Sequence, residues 1–469
     1  MNVVPYLIGI AVIVVGLAVS IALHEIGHLV PAKRFGVRVG QYMIGFGPTL
    51  WSRRIGETQY GFKAIPLGGY ISMAGMYPPS PTTGQSQTTD AAHGPDAPVD
   101  RDGGQGSRTD AGHRPGRAGG GFFATMVQDA RSANDETIEG ADERVFYKLP
   151  VWKRVVIMLG GPVMNLLFAI VLFAILFSGI GVQQGTTTVA TVAECVAPAG
   201  SAQTECAASD PVAPAAAGGM LPGDVMVSID GTDVSTFDEA SAIIRESPGE
   251  PLQVVVDRDG ERVTLQVTPL LAERPAYDDA GRPVVDEDGT TVTDEVGFIG
   301  VGPVMGFVRQ PIWTGPEAAI ENVGAVAGII VQLPVKLYAI AESLFTGSER
   351  DPNGPLSVVG VGLIAGEVAA QDAPVMSRVA AMLGLVASLN VALFVFNLIP
   401  LLPLDGGHIV VALWEGIKRA WAKLFRRPPP KPVDATKLVP ITFVVVIALI
   451  GMGGLLLVAD ILNPVQLFN

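Results

Sequence analysis

Long apolar runs alternate along this chain with stretches of polar and small residues. Four of these runs are about 20 residues long, which is enough to cross a hydrocarbon core of about 30 Å as a helix. They extend from Val3 to Leu23, Val155 to Ile180, Val379 to Leu402 and Leu438 to Leu462. The pattern predicts a polytopic α-helical membrane protein with four transmembrane helices.

Composition and charge agree with a membrane protein. Hydrophobic residues make up 49% of the chain and charged residues 16%, whereas soluble domains carry about a quarter charged residues. The formal net charge of −14 argues against a nucleic-acid partner. The basic residues cluster beside the apolar runs, at Lys33, Arg34, Arg38, Lys153, Arg154, Lys418, Arg419, Lys423, Arg426, Arg427, Lys431 and Lys437. Because basic flanks face the cytoplasm, we expect both termini on the outer side.

The first apolar run leads into His24-Glu25-Ile26-Gly27-His28. Positions i and i+4 of a helix share one face, so both imidazoles can bind one metal ion. Glu25 is offset by about 100° and is placed to act as a general base toward a water molecule. Histidine and glutamate are costly in hydrocarbon unless they are used. His28 and His24 precede Lys33 by roughly 7 and 13 Å along a helix, so the metal is expected within the bilayer near the cytoplasmic side.

A catalytic zinc ion usually has three protein ligands and one open position. The third apolar run ends in Asn397-Leu398-Ile399-Pro400-Leu401-Leu402-Pro403-Leu404-Asp405, and Asp405 is the acid in this stretch. A buried aspartate needs a cation or hydrogen bonds. Asp405 is therefore the candidate third ligand, with the alternative that it caps a helix continuing through His408 to Lys418. His408 is expected to be an ordinary interfacial histidine rather than a partner of the ligands.

Together these motifs resemble those of the site-2 proteases, intramembrane zinc metalloproteases, and in particular the bacterial regulator-of-sigma-E protease group. His24 to His28 matches the family's H-E-x-G-H, and Asn397 with Leu404-Asp405-Gly406 matches N-x-x-P…L-D-G. Further matches are Gly45-Phe46-Gly47-Pro48 and Gly161-Pro162-Val163-Met164-Asn165.

The resemblance implies a role for each matched residue. His24, His28 and Asp405 would bind Zn²⁺, and Glu25 would activate the water. Asn397 would hold the substrate backbone or the developing oxyanion, as an amide donor can.

The segment from Gln59 to Met76 has strand and turn signals and is too broken by Gly and Pro to span a membrane. Similar segments in the family form a membrane-reentrant β-loop beside the zinc. An extended substrate could add to its edge as a strand. The predicted substrate-binding residues are Gly69, Tyr70, Ile71, Ser72 and Met73, together with Asn397. The alternative is a cytoplasmic hairpin without a substrate role.

An extracytoplasmic α+β domain is expected at residues 185–304. Gly219-Met220-Leu221-Pro222-Gly223-Asp224 and the residues that follow resemble the PDZ signature. Thr236 and Glu239 predict a capping box, and the pattern around Asp259-Gly260 predicts a hairpin. Gly297 to Val301 resembles the closing strand of the family's permuted PDZ domain. Such a groove would bind a peptide or protein as a docking site or size filter; a purely structural cap is the alternative.

The remaining segments are polar, basic or weakly apolar. Residues 78–145 are rich in small and polar types and are expected to be a disordered cytoplasmic insertion. Cys195 and Cys206 permit a disulfide or a free pair in an oxidising exterior. Gly315 to about Leu344 is interrupted by polar residues, so helices lying on the outer membrane surface are expected rather than a fifth span.

These expectations divide the chain into nine parts. They are the first span with its zinc motif (1–32), the β-loop region (33–77), the insertion (78–145), the second span (150–183), the PDZ-like domain (185–304), outer amphipathic helices (311–375), the third span with the LDG motif (377–417), a basic cytoplasmic loop (418–437) and the fourth span (438–463).

The function that the resemblance implies is zinc-dependent cleavage of the transmembrane segments of single-pass proteins, of the anti-sigma factor type, in the bacterial cytoplasmic membrane. Clearance of remnant signal peptides is an alternative within the same class. A metal transporter or a PDZ scaffold are alternatives from other classes.

Overall fold

The computed structural model describes residues 3–76, 143–197, 206–276, 284, 291–348, 350–352, 354–428, 430 and 438–465. Nearly all of the insertion expected at 78–145 lies outside the described residues. The chain divides into two compact units, of which the first comprises Met1–Ala174 with Gly315–Asn469 and the second Ile175–Thr314.

Helices form most of the first unit. In chain order the helices of both units are α1 (Val3–Arg34), α2 (Val151–Ala174), α3 (Pro214–Ala217), α4 (Phe237–Glu246), α5 (Thr314–Val331), α6 (Leu333–Thr346), α7 (Val358–Ala370), α8 (Val375–Asn397), α9 (Asp405–Leu424) and α10 (Val439–Leu462). The strands are β1 (Val39–Ile55), β2 (Thr58–Met73), β3 (Val182–Val192), β4 (Val225–Ile229), β5 (Thr232–Asp233), β6 (Leu252–Arg258), β7 (Glu261–Val267), β8 (Leu270–Pro275), β9 (Thr293–Phe298) and β10 (Val301–Val308).

Four helices of the described part are long and apolar enough to span a membrane: α1, α2 with its π-helical extension to Ile180, α8 and α10. This agrees with the four spans predicted from the sequence. Helices α5 and α6 pass the same test only as a pair, and they are bent by 68° at their junction. Their placement on the outer membrane surface stays a prediction.

The segment predicted to hold the third span with the LDG motif, 377–417, contains two helices in the structure. Helix α8 ends at Asn397 and α9 begins at Asp405. Pro400 and Pro403 lie between them, and proline cannot donate the backbone hydrogen bond that continues a helix. Helix α9 then runs to Leu424, so the first part of the predicted basic loop is helical.

Helix α7 is buried, whereas the sequence predicted helices on the outer membrane surface at 311–375. Its residues Gly360, Gly362, Ile364, Ala365 and Val368 are buried. The helix packs closely on α1, since a methyl group at Gly9 would collide with the Ala365 carbonyl. Because small residues let two backbones approach, α7 belongs to the packed interior of the first unit.

Strands β1 and β2 form a small antiparallel sheet beside α1. Both strands bend, so that pairing runs in the order 69–73, 39–44, 58–63 and 49–55. The bend in β1 falls at Gly45 and Gly47, whose φ angles of 92° and 83° suit glycine. Among the described residues, the segment 69–73 is an outer strand with one side unpaired.

The second unit is an α+β domain. Its main sheet has the order β10-β3-β4-β6-β7, with β5 beside β4 and a separate β8-β9 pair. The predicted capping box at Thr236 and Glu239 opens α4, and β6 and β7 form the predicted hairpin. Both local predictions are confirmed. Cys195 and Cys206 form a disulfide with a Cα–Cα distance of 5.9 Å.

An ion pair between a half-buried arginine and a buried aspartate stabilises the turn before β4 in this unit. Arg258 donates from Nε to Asp224 Oδ1 and from a terminal nitrogen to Asp224 Oδ2, both at 2.8 Å. Asp224 is 1% exposed and also accepts from the Leu221 backbone at 2.8 Å. The Arg258 hydrogen bonds hold the pKa of Asp224 below its usual range.

This lowered pKa gives a pH-dependent prediction. A group with a lowered folded pKa stabilises the fold above its ordinary pKa of about 4, and the stabilisation is lost as pH falls through the folded value. Asp224→Asn should therefore destabilise the second unit by about 1.5–3 kcal/mol at pH 7 and by much less at pH 2. Hydrogen exchange of β4 and β6 in the full chain measures this, with the exposed Asp233→Asn as the control. An equal effect at both pH values would contradict the assigned cause.

Candidate metal centre

Three possible metal ligands converge in the first unit. His24 and His28 lie one turn apart on α1, and their Nε2 atoms are 3.2 Å apart. Asp405 is the first residue of α9, and its Oδ2 lies 3.3 Å from each Nε2. These are the His, Cys, Asp and Glu residues that group as possible ligands in the described part of the chain.

The spacing of the three ligand atoms fits a tetrahedral ion. Bonds of about 2.0–2.1 Å at tetrahedral angles separate neighbouring ligand atoms by about 3.3–3.4 Å, which is close to the three distances here. Asp405 Oδ2 is buried and accepts no hydrogen bond. A carboxylate oxygen left in this way, facing two imidazole nitrogens, needs a cation. The donor set of two nitrogens and one oxygen suits zinc and leaves one position open.

The His28 ring is oriented by α2. Its Nδ1 lies 2.7 Å from the backbone oxygen of Ile157. Because a carbonyl only accepts, Nδ1 carries the proton and Nε2 keeps its lone pair for a metal ion. Such partners fix the tautomer of metal-binding histidines.

Asn165, also on α2, contacts the imidazole ring of His24. Its side-chain amide nitrogen lies 3.3 Å from His24 Nδ1, while its Oδ1 is buried without a partner. The Asn165 amide therefore contacts the Nδ1 side of the His24 ring, and Nε2 is the ring nitrogen that faces Asp405 Oδ2.

Small residues bring α1 and α2 into contact at this level. Gly27 and Gly160 face each other, and a side chain on either would collide with the other's backbone. A methyl group at Gly161 would collide with the His28 imidazole. The glycines therefore make room for both imidazoles between the two helices.

A buried hydrogen bond joins α1 to α8. Asn390 donates from Nδ2 to Ser20 Oγ at 2.8 Å, and Ser20 donates to the Gly16 carbonyl at 2.7 Å. Both side chains are fully buried. Ser20 lies one turn before His24, so this bond fixes the position of the ligand helix against α8, which ends at Asn397.

A second buried polar contact joins α2 to α9. Arg154 donates to Glu415 Oε2 at 2.9 Å, and Arg419 pairs with the other Glu415 oxygen. Because α9 carries Asp405 and α2 carries Ile157 and Asn165, the ion pair holds the candidate carboxylate ligand in register with the groups that contact the imidazoles.

Glu25 lines a cavity of about 310 Å³ beside the ligand cluster. The other lining residues are Leu17, Ile21, His24, Gly68, Gly69, Asn165, Val358, Leu393 and Asn397. Gly69 touches the helix here, because a Cβ on it would lie 3.2 Å from Glu25 Cγ and 2.9 Å from Ile21 Cγ2. The outer strand of the small sheet thus approaches the carboxylate only because residue 69 has no side chain.

Tyr42 ties the sheet to α1 near this cavity. Its hydroxyl donates to the Ala22 carbonyl at 2.9 Å.

Of the other residues predicted for the site, some line the cavity beside His24, His28 and Asp405 and others do not. Asn397 lines the cavity, and its amide donates back to the Leu393 carbonyl at 2.9 Å. Gly69 lines the cavity, whereas Tyr70 to Met73 continue along the sheet. His408 is half-buried on the first turn of α9 and is not part of the ligand cluster.

Sequence reasoning assigned no role at the metal centre to Asn165, Asn390, Arg154 or Glu415. One signal for the two asparagines is present in the sequence, because each is a polar residue inside an apolar span, where such residues are retained for function or packing. Their partners come from helices distant in the chain, and no periodicity reveals such pairings.

Comparisons with known proteins identify the family of the chain. The model for "Peptidase family M50" matches residues 12–427. The chain is 33% identical to "Zinc metalloprotease Rip1" of Mycobacterium tuberculosis over 99% of this chain and 100% of the relative. It is 32% identical to Rip1 of Mycolicibacterium smegmatis, covering 98% and 99%, and 27% identical to "Metalloprotease MmpA" of Caulobacter vibrioides, covering 86% and 85%. The chain therefore belongs to peptidase family M50, the site-2 protease family, and is a multi-pass membrane zinc metalloprotease.

Proposed function

We propose that this protein cleaves the transmembrane segments of single-pass membrane proteins, with anti-sigma factors as the client type. His24, His28 and Asp405 hold the zinc, and Glu25 takes the proton of the attacking water. The observation that carries the proposal is the triangle of ligand atoms, 3.2–3.3 Å on each side, at the end of a helix long enough to span a membrane. When bound, zinc polarises the scissile carbonyl and makes water a nucleophile at neutral pH.

A client reaches the site as an extended strand. A helix hides its carbonyls in i to i−4 hydrogen bonds, so the client must unwind before attack. The unpaired side of segment 69–73 offers backbone groups for strand addition, and Gly69 lies against Glu25. Asn397, which also lines the cavity, supplies an amide donor for the client backbone or the developing oxyanion.

The sheet of β1 and β2 dips into the membrane as a reentrant loop. This membrane position is supported by a set of large apolar side chains that the fold leaves exposed: Phe46, Leu50, Trp51, Phe62 and Ile65. Such a surface is unfavourable in water and favourable in lipid. Pairing within the sheet satisfies the backbone groups of its inner strands, and the unpaired side of 69–73 is left for the client strand.

The second unit is a PDZ-like domain that docks or filters clients. In support, helix α4 and the residues Phe298 to Val301 line a groove of about 290 Å³. Phe237 and Ile244 give it an apolar wall, and Arg245 and Arg274 add positive charge. An extended peptide would bind there by strand addition.

We place both termini and the second unit outside the cytoplasm of a bacterial cell, with the zinc near the cytoplasmic side. Lys33 and Arg34 end α1 and Lys153 begins α2, which favours a cytoplasmic position for both helix ends. The Cys195–Cys206 disulfide favours an oxidising compartment for the second unit.

The ligand assignment predicts the metal content of the purified protein. Wild type should carry about one zinc, and Asp405→Ala should weaken zinc binding by at least about 100-fold, more than the loss of an orienting partner does. Client cleavage should fall with the zinc. The exposed Asp372→Ala is the matched control and should keep both. Full zinc and full activity in Asp405→Ala would exclude Asp405 as a ligand.

Strand addition predicts an effect of backbone donors at the sheet edge. Proline at Ile71 or Ser72 removes an N–H from the outer strand and should slow client cleavage at least tenfold while zinc stays bound, whereas Ile71→Val and Ser72→Ala keep the donor and should cleave normally. Normal cleavage of every client by both proline variants would contradict strand addition at this edge and would mean that the transmembrane helices alone position the substrate.

The need to unwind the client predicts an effect of the client's own sequence. A client with Gly or Asn near the scissile bond should be cut faster than one with a poly-Leu helix, because its helix unwinds more readily.

The proposed topology predicts the side from which introduced cysteines react. A membrane-impermeant maleimide added outside intact cells should label a cysteine at Asp259. A cysteine at Ser107 should react only after the cytoplasmic face is opened. The reverse pattern would overturn the orientation derived from the basic residues.

A further inference from the structure

Helix α9 turns an apolar face away from the protein. Ala412, Glu415 and Ala422 are buried against the first unit. The opposite face is exposed and carries Val410, Leu413, Trp414, Ile417, Trp421 and Leu424. We call these six residues the outer face of α9. Their exposed fractions rise from 46% at Val410 to 74% at Leu424. The exposed face of this helix is therefore apolar, whereas the exposed face of a helix in a soluble protein is polar.

Contacts with α2 set the depth of this helix. Gly416 packs on Val151, the first residue of α2, since a Cβ at Gly416 would lie 3.3 Å from Val151 Cγ1. Glu415 pairs with Arg154 in the first turn of the same helix. Because α2 is a candidate span, the middle of α9 is level with a membrane boundary. Trp152 is exposed beside this contact, and tryptophan is enriched at that level.

The length of α9 limits how steeply it can leave the membrane. It has 20 residues, which is about 30 Å at 1.5 Å per residue. A steep helix would carry Trp421 and Leu424, which lie five and eight residues beyond Gly416, about 7 and 12 Å into water. A helix running along the surface keeps the outer face in contact with lipid over its second half.

The charges beside the outer face select the lipid. Lys418 and Lys423 lie on the same turns as the exposed apolar residues, and Arg426 and Arg427 follow the helix end. Arg419 is engaged with Glu415. Basic residues at a membrane surface attract anionic headgroups, at about 1 kcal/mol each or about fivefold in binding.

We propose that the outer face of α9 lies in the headgroup and acyl boundary of the cytoplasmic leaflet and binds anionic phospholipid through the flanking basic residues. The inference rests on the topology proposed above and extends it to the helix that begins with Asp405. Lipid contact thus supports the same helix that the Arg154–Glu415 pair holds from the protein side.

A spin label at Ile417→Cys in the full-length protein tests this directly. The native cysteines are both in the disulfide, so the label is specific. In nanodiscs with about 30% phosphatidylglycerol, oxygen should relax the label more strongly than a water-soluble nickel chelate does, and a label at Asp259→Cys should show the reverse. In purely zwitterionic nanodiscs the Ile417 label should move toward water.

A pair of matched variants tests whether the basic residues are needed for binding of anionic lipid. Changing Lys418, Lys423 and Arg426 together to Gln should remove the response of the Ile417 label to phosphatidylglycerol, whereas Lys418→Arg with Lys423→Arg should keep it. Nickel access in both lipids would overturn the proposal, and so would shielding from both reagents, which would mean that a protein covers this face. Lipid contact without dependence on phosphatidylglycerol would overturn the anionic selectivity. Cleavage and zinc content are measured separately, so failure here is distinct from failure of the proposed function.

Discussion

The convergence of three ionisable side chains, two near the end of the apolar helix α1 and one at the start of α9, is the constraint on which the first unit depends. Two imidazoles and a carboxylate are unfavourable in hydrocarbon as isolated groups. They are tolerable when a cation joins them, and the separations among His24, His28 and Asp405 suit one tetrahedral ion. Asp405 comes from a helix remote in sequence, so the fold must hold two distant segments within the tolerance of a metal bond.

Close helix packing and buried polar pairs hold the segments that carry these side chains in position. Glycines bring α1 onto α2, the Ser20–Asn390 bond sets α1 against α8, and Arg154–Glu415 sets α9 against α2. In lipid the hydrophobic effect does not drive helices together, so close contact and interhelical hydrogen bonds carry more of the association. The same contacts orient the histidine rings through Ile157 and Asn165. The helices that carry the candidate ligands and the groups that contact their rings, α1, α2 and α9, are therefore also the ones that these contacts join.

Local patterns in the sequence predicted the local features well. The four spans follow from apolar length, the capping box from Thr236 and Glu239, and the β6–β7 hairpin from Asp259-Gly260, because each depends on residues close in the chain. The convergence of His24, His28 and Asp405 was inferred from ligand chemistry and a family resemblance. The double bend that makes 69–73 an outer strand, the burial of α7 and the partners of Asn165 and Asn390 depend on contacts between distant segments. Hydropathy missed the apolar exposure of α9 because the predicted basic loop began at residue 418 and divided the helix.

The most direct test of the account is the cleavage of a single-pass client by wild type and Glu25→Gln in reconstituted vesicles, with zinc content and product masses measured on the same samples. Removing a general base slows a reaction by about 10²–10⁴-fold without removing a metal ligand. We predict that Glu25→Gln keeps its zinc and loses cleavage to that extent, that the exposed Glu321→Gln control is unaffected, and that the wild-type products end within the client's apolar segment. Cleavage by Glu25→Gln at the wild-type rate, or products that end outside the apolar segment, would contradict intramembrane proteolysis by this site.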